Sequence, residues 1–265
     1  MSAPLVARPS SYVHEQLDNI CRLDALHTAQ YKYFGDRLSF APIYGMDPAR
    51  IIDLGCVEGL VHQAAKDFPK AEVIAVDRNP LPQIIATFHR ISKFLNADLT
   101  QDLPFKDGSF DIVHVRHVFI HVPNSTGDLL ARAARLLKPG GWLLVEENDI
   151  ERLALTAGPA VSRLASTYGA IVRGYGADSG AMRALGMFKE VNLKNLTIPM
   201  CRPSPDEMED QLREAYRQTI ILTGESLCNK FDGLTPELAV QVRKDMDNLS
   251  ETGMFDMYFF WCRRS

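Results

Sequence analysis

Short apolar runs alternate with helical patterns through the middle of the chain. The run RIIDL at 50–54 leads into a turn that contains glycine and then into LVHQAAKDF at 60–68, whose apolar residues recur at helical spacing. Four further apolar runs are typical of buried strands: AEVIAVD at 71–77, FLNAD at 94–98, DIVHV at 111–115 and WLLVEEN at 142–148. Strands that alternate with helices predict βαβ units and a doubly wound, mostly parallel α/β sheet.

The segments between these strands are expected to form crossovers. Residues 79–94 predict a helical or partly irregular crossover that begins with proline. Residues 125–137 predict a helix that Ser125 or Thr126 can cap, and the segment LKPGG that starts at Leu137 is expected to end it.

Helical patterns also flank this sheet. We expect an N-terminal helical cap at 12–44, helix from 149 to about 175, and a helical insertion at 205–250. Strand candidates follow at 191–199 and, as a closing strand, at 257–264. These segments predict one domain over 1–265 with helical cap insertions.

Composition narrows the classes of partner. Of the 265 residues, 46% are hydrophobic and 23% are charged, and the net charge of -4 gives no large basic field for nucleic acid. No apolar run is long enough for a signal peptide or a membrane span, so we expect no membrane partner and a cytoplasmic location. The five cysteines have no metal-ligand spacing, which predicts no metal site.

The turn after the first strand carries the main chemical signal, DLGCVEG at 53–59. Gly55 and Gly59 allow backbone to approach a ligand, and the N-terminus of the following helix presents unpaired N–H groups. Asp77, at the end of the next strand, has the spacing of a carboxylate that accepts hydrogen bonds from ribose hydroxyls. The glycine spacing G-x-G-x-x-G, which an NAD-dependent dehydrogenase would require, is absent from this turn.

This motif and the later segment LKPGGWLLVEE resemble the class I S-adenosylmethionine-dependent methyltransferases over residues 20 to 150. The resemblance implies a seven-stranded Rossmann-like sheet and S-adenosyl-L-methionine as cofactor. The segments RLDALHTAQYKYFGDRLSFAPI, DPARIIDLGC, FPKAEVIAVDRNPLPQ and DIVHVRHV are further similar to the fungal LaeA-like subgroup of this family.

The resemblance also implies a set of cofactor-binding residues on this chain. The motif that begins at Asp53 is expected at the methionine end of the cofactor, with Arg116 and His117 bordering the same end. The remaining contacts are Gly55, Cys56 and Gly59 beside the methionine moiety, Asp77 on the ribose, Arg78 and Asn79 beside the adenosine, and Asp98 with Leu99 at the adenine.

Val57 departs from the family pattern, which has a glycine at this position. A β-branched side chain disfavours positive φ and adds bulk near the ligand. The turn must then be adjusted, the cofactor displaced or its affinity reduced.

Two histidines are candidates for catalysis. His117 and His121 follow the strand DIVHV, at the edge where ligands of open parallel sheets bind. A neutral imidazole can take a proton from a hydroxyl or ammonium group, although a histidine at a strand end is often a hydrogen-bonded structural residue. Glu146, Glu147 and Asn148 are weaker candidates for holding the acceptor.

These features predict an enzyme that transfers a methyl group to an O, N or S atom of a small organic molecule, in secondary metabolism. Methyl transfer needs positioning more than acid-base chemistry, so few catalytic residues are expected. Two alternatives remain: a regulatory or scaffold protein that keeps the fold, and an enzyme that uses the same cofactor site without methylating. Oligomeric state is left open.

Overall fold

The computed structural model describes residues 25–32, 35–56, 58–79, 93–122, 126–177, 193–197, 200–201, 210–228, 230–231, 233–247 and 257–265. Predictions for Val57, for the crossover at 80–92 and for the start of the N-terminal cap lie outside the described residues.

Eight strands and seven helices are described. The strands are β1 (Arg50–Leu54), β2 (Glu72–Asp77), β3 (Lys93–Asn96), β4 (Phe110–Arg116), β5 (Leu137–Asn148), β6 (Leu193–Thr197), β7 (Met200–Cys201) and β8 (Met257–Arg264). The helices are α1 (25–32), α2 (Glu58–Asp67), α3 (Thr126–Leu136), α4 (Ile150–Thr156), α5 (Pro159–Gly174), α6 (Asp210–Cys228) and α7 (Pro236–Asp247), and a short 3₁₀ turn spans Phe119–His121.

The strands form one sheet in the order β3-β2-β1-β4-β5-β8-β6. The first five are parallel, while β8 runs antiparallel to both β5 and β6. This arrangement confirms the doubly wound, mostly parallel α/β fold. The predicted count of seven strands was wrong. The pairing of β6 with β8 is interrupted after Lys194, and the short strand β7 also pairs with β8.

Both faces of the sheet are covered by helices. Alternate residues of β1 point to opposite faces, as the period of a strand requires. Ile52 packs on the face covered by α3, where Leu130 and Ala133 are buried, and Ile51 packs on the face covered by α2, where Val61 is buried. A separate apolar core joins α4, α5, α6 and α7.

Three sequence predictions of secondary structure were wrong in detail. Lys93, expected in the crossover, begins β3, and the strand ends at Asn96 rather than at residue 98. The segment LKPGG, expected to end a helix, is the irregular first part of β5, since Leu137 pairs with Phe110 before the register shifts. The N-terminal helix is described at 25–32 and does not extend to 44 as expected, because Gly35 has a φ of 72° that helical backbone does not adopt.

Among the residues that the structure describes, no helix has the length and apolar character needed to cross a bilayer. Within the same residues, no three His, Cys, Asp or Glu side chains are grouped as a metal site would require.

Candidate functional site

The carboxyl ends of the parallel strands bring most of the predicted site residues to one edge of the sheet. Because β1 to β5 are parallel, the residues that follow each strand meet at this edge. The structure places them there in the order of the strands: Asp98 and Leu99 after β3, Asp77, Arg78 and Asn79 at β2, Gly55 and Cys56 after β1, and Arg116, His117 and His121 at and after β4. Gly59 lies in the first turn of α2.

Gly55 makes the turn out of β1. Its φ is 78°, a left-handed conformation that favours glycine, and its N–H donates to the carbonyl of Val76 at 2.8 Å. A Cβ at this position would overlap Cγ2 of Val118, in the loop after β4. The loops after β1 and β4 are therefore in direct contact only because residue 55 has no side chain.

Two carboxylates, Asp77 and Asp98, lie where the adenosine part of the cofactor is expected. Oδ1 of Asp77 accepts the N–H of Asn79 at 2.7 Å, and burial raises the pKa of Asp77. Oδ1 of Asp98 accepts the N–H of Thr100 at 2.8 Å, and this bond lowers the pKa of Asp98. Ribose hydroxyls and the adenine amine are hydrogen-bond donors, so carboxylates at these two positions fit an adenosyl group.

Asp53 faces into the protein rather than toward an open crevice. It lies opposite His114 of the neighbouring strand β4, and its Oδ1 is 2.8 Å from Nδ1 of His114. Both side chains are buried. Burial disfavours the charged imidazole, but the hydrogen bond with Asp53 and the negative charges of Asp53 and Glu146 outweigh it and raise the pKa of His114.

Arg116 is also enclosed. Its Nε donates to Oε2 of Glu146 at 2.6 Å, and its Nη1 lies 2.8 Å from Nδ1 of His27 on α1. Burial opposes ionisation of Glu146, yet the charges of Arg116 and His114 and the hydrogen bond from Arg116 hold its pKa at about 2. Burial and then Arg116 lower the pKa of His27 to about 3. We call Asp53, His114, Glu146, Arg116 and His27 the buried acid-base cluster.

Sequence reasoning missed His114 and the inward role of Glu146. The available signal was a histidine inside the otherwise apolar strand DIVHV, since a buried polar side chain in a strand requires a partner on a neighbouring strand.

A cavity of about 170 Å³ opens at the ends of β4 and β5. Its walls are mainly apolar and come from α1, the 3₁₀ turn, α4, α5 and α6: Leu26, Ile120, Ile150, Leu153, Val161, Leu164, Ala165, Tyr168, Thr219, Ile220, Thr223 and Leu227. Four polar residues complete the lining, and we call them the polar floor: His117, His121, Glu147 and Asn148.

The polar floor is fixed by backbone contacts. Oε1 of Glu147 accepts the N–H groups of Val118 at 2.7 Å and Phe119 at 3.0 Å. Burial raises the pKa of Glu147 to about 8 despite these two bonds. His117 adopts a φ of 53° and donates its N–H to the carbonyl of Glu146 at 2.9 Å, whereas His121 is exposed at the end of the 3₁₀ turn.

The raised pKa of Glu147 predicts a loss of stability as the pH rises. The folded state holds the proton up to about pH 8, whereas an ordinary glutamate loses it near 4.5, so this contribution is complete below pH 4.5 and disappears as the pH rises through 8. We expect the decrease in Tm between pH 5 and pH 9 to be smaller in Glu147→Gln than in wild type. The matched control is Glu214→Gln, at an exposed glutamate on α6. Parallel Tm curves for wild type and Glu147→Gln would contradict this assignment.

The tyrosines of the helical segments that flank the sheet take different positions relative to the cavity. Tyr168 lines the cavity, while the ring of Tyr31 lies tilted against that of His27 and Tyr175 is exposed. Tyr33 lies outside the described residues. The N-terminal segment contributes Leu26 to the lining instead.

Comparison with known proteins agrees with this architecture. A model of a methyltransferase domain matches residues 52–145. The methyltransferase str3 of Strobilurus tenacellus is 31% identical over 235 residues, which cover 83% of this chain and 82% of that protein. The methyltransferase str2 of the same organism is 29% identical over 246 residues, with 85% and 86% covered.

Among solved structures, phosphoethanolamine N-methyltransferase 2 of Haemonchus contortus, in complex with S-adenosylhomocysteine, has a TM-score of 0.60 at 19% identity. The match covers 92% of this chain and 57% of that one, so this chain spans little more than half of the length of that enzyme. At this level of identity the likeness concerns the fold. Together with the relatives from Strobilurus tenacellus, it shows that the chain belongs to the class I S-adenosylmethionine-dependent methyltransferases.

Proposed function

We propose that this enzyme methylates an O, N or S atom of a small, largely apolar organic molecule that binds in the cavity at the ends of β4 and β5. The observation that carries the proposal is the lining of that cavity, with apolar walls from four helices and a polar floor on the sheet edge. Sites for small molecules typically combine apolar walls with a few placed polar groups.

The cavity adjoins the loop that we assign to the methionine end of the cofactor. Gly55 touches Val118, and the N–H of Val118 is held by Glu147 of the polar floor. A chain of direct contacts therefore joins the expected methyl donor site to the expected acceptor site. Such proximity is what an in-line transfer requires.

The cofactor supplies an electrophilic methyl group on a positively charged sulfur. We propose that Gly55, Cys56 and Gly59 border its methionine part and that Asp77 accepts hydrogen bonds from the ribose hydroxyls. Arg78 and Asn79 would flank the adenosine, and Asp98 and Leu99 the adenine. Asp53 and Arg116 would act indirectly, because both belong to the buried acid-base cluster.

His117 is the better placed of the two candidate bases. It lies in the polar floor directly after β4, and its backbone is anchored to Glu146. A neutral imidazole there can take the proton that the acceptor loses. His121 also lines the cavity, but its exposure to solvent favours a role at the entrance.

The apolar cavity with its polar floor favours an enzyme over the regulatory or scaffold alternative, since a partner-binding protein has no need of it. A place in secondary metabolism is supported by the resemblance to the fungal LaeA-like subgroup.

Calorimetry with S-adenosylhomocysteine tests the proposal. Wild type is expected to bind, and Asp77→Ala to lose about 1–3 kcal/mol of binding free energy because a charged hydrogen-bond acceptor is removed. The matched control is Asp102→Ala, at an exposed aspartate that pairs with Arg135. The proposal would be contradicted by wild-type protein that gives no heat at millimolar ligand, and the ribose assignment by equal affinities of wild type and Asp77→Ala.

A further inference from the structure

Residues 98–101 form a tight turn after β3, at the position assigned to the adenine. The N–H of Gln101 donates to the carbonyl of Asp98 at 3.0 Å, which closes a β-turn. The N–H of Thr100 donates to Oδ1 of Asp98 at 2.8 Å. The Asp98 side chain is exposed, so its Oδ2 can accept a hydrogen bond from a ligand while the turn holds Oδ1.

This turn is joined to the segment that follows β2. Nδ2 of Asn96 donates to the carbonyls of Asp77 at 3.2 Å and Arg78 at 2.8 Å. The N–H of Ala97 also donates to the carbonyl of Asp77, at 3.0 Å. Asp77 is the residue that we assign to the ribose. The turn is therefore attached to the ribose position, as the binding of one adenosyl group requires.

Arg132, on helix α3, reaches the same turn. Its Nη2 donates to the carbonyl of Leu99 at 2.8 Å. The Leu99 side chain is buried in the apolar core that also contains Leu129 of α3. The carbonyl of Leu99 and the N–H of Thr100 belong to one peptide group. Both polar atoms of this peptide are thus held, the carbonyl by Arg132 and the N–H by Asp98.

The charge of Arg132 favours the same state of the turn. The hydrogen bond from the Thr100 N–H, followed by the charges of Arg78 and Arg132, lowers the pKa of Asp98. Asp98 is then a carboxylate at neutral pH, and a carboxylate only accepts hydrogen bonds. The exocyclic amine of adenine is a donor, whereas the oxygen that replaces it in hypoxanthine is an acceptor. An oriented carboxylate at this position therefore favours adenine.

Stability alone does not account for Arg132. Its Nε is buried, and no acceptor among the residues that the structure describes lies within hydrogen-bond distance of it. A buried donor without an acceptor lowers stability, which offsets part of the gain from the bond to Leu99. We therefore expect loss of this guanidinium to change ligand binding more than it changes Tm.

We propose that Arg132 is a positioning residue for cofactor selectivity: it fixes the peptide group after Leu99, and this aligns the Asp98 carboxylate with the exocyclic amine of adenine. This inference rests on the proposed function, because it concerns the adenine end of the same cofactor site. It gives α3, which covers one face of the sheet, a second role at the ligand-binding edge.

S-adenosylhomocysteine and S-inosylhomocysteine provide a matched pair of probes, since an oxygen replaces the purine amine in the second compound. In calorimetric titrations, wild type is expected to bind the adenosyl compound at least about tenfold more tightly, because the amine donates to a charged group. Arg132→Met keeps an apolar stem and removes the guanidinium. We expect it to weaken the binding of S-adenosylhomocysteine about three- to tenfold and to reduce the preference by a similar factor.

Two further variants separate positioning from a general structural role. Arg132→Lys keeps a positive charge and a donor, so it is expected to recover part of the preference. The matched control is Arg135→Met, on the same helix, which removes an exposed ion pair with Asp102 but not the bond to Leu99. The control should keep the wild-type preference. Partial unfolding of a variant weakens both probes equally and leaves their ratio unchanged.

The ratio of the two affinities decides the inference. A preference in Arg132→Met equal to that of wild type, or an equal loss of preference in Arg135→Met, would overturn it. Equal binding of both compounds by wild type would also overturn it. Wild-type protein that binds neither compound would instead count against the proposed cofactor site itself. If Arg132→Met fails to fold, Arg132→Gln decides by the same ratio, since its amide nitrogen corresponds to Nε and it lacks both Nη groups.

Discussion

Arg116→Ala is expected to lower the free energy of unfolding by about 3–5 kcal/mol, because it leaves the Glu146 carboxylate buried without its cation. Glu146 is 1% exposed, and Arg116 reaches it through both Nε and Nη2. The variant also removes the contact with His27, which connects α1 to the sheet. Urea denaturation of wild type and variant measures the difference.

The control for this prediction is Arg135→Ala, whose ion pair with Asp102 is exposed and should contribute less than about 1 kcal/mol. A double variant, Arg116→Met with Glu146→Gln, is expected to recover part of the loss because no buried charge is left without a partner. Similar losses for Arg116→Ala and Arg135→Ala would contradict the importance of the buried acid-base cluster.

The same cluster is expected to make the free energy of unfolding decrease at acidic pH. The pKa of Glu146 falls from an ordinary 4.5 to about 2 in the folded protein, so its contribution is present above pH 4.5 and is lost as the pH falls toward 2. In Arg116→Ala this acid-side loss should be much smaller, since the charge that lowers the pKa has gone.

Gly55→Ala is expected to impair both folding and cofactor binding. Alanine at a φ of 78° costs about 1–2 kcal/mol. Its Cβ would also overlap Cγ2 of Val118, and the β-branched side chain of Val118 cannot easily rotate away. The loop after β1 must then move away from the loop after β4. We expect a lower Tm and weaker binding of S-adenosylhomocysteine. The loss of binding should be larger than the loss that partial unfolding of the variant would cause.

Gly35 provides the matched control for Gly55. Its φ is 72°, but a Cβ there would meet nothing within 4 Å, so Gly35→Ala has the backbone strain without the overlap. Adding Val118→Ala to Gly55→Ala should restore part of the affinity for S-adenosylhomocysteine. If Gly35→Ala and Gly55→Ala had equal effects on Tm and affinity, the contact between the two loops would have no role.

The fold could be predicted largely from the sequence because the apolar runs have clear boundaries. The closing strand at 257–264 and the strand at 50–54 have the predicted limits, and the helices α6 and α7 lie within 205–250. Prediction failed where local pattern and tertiary pairing disagree. The proline and glycines after Leu137 read as a helix end, yet pairing with Phe110 makes this segment the start of β5.

The site was harder to predict, because its partners come from distant parts of the chain. Asp53 and Arg116 follow the family pattern, but nothing local shows that His114 and Glu146 lie against them. His27 contacts Arg116 only because α1 packs over the ends of β4 and β5. Glu147 is buried and accepts hydrogen bonds from two backbone N–H groups. Neither property can be predicted from the local sequence EEN.

The position of β8 has a consequence for how the protein is made. This strand fits between β5 and β6, and it pairs with β5 from Trp142 to Asn148. A ribosome releases β5 long before it has translated 257–264, so the growing chain passes through a stage in which one side of β5 has no neighbour. An unpaired strand edge is a template for other chains, and association between nascent chains therefore competes with completion of the sheet.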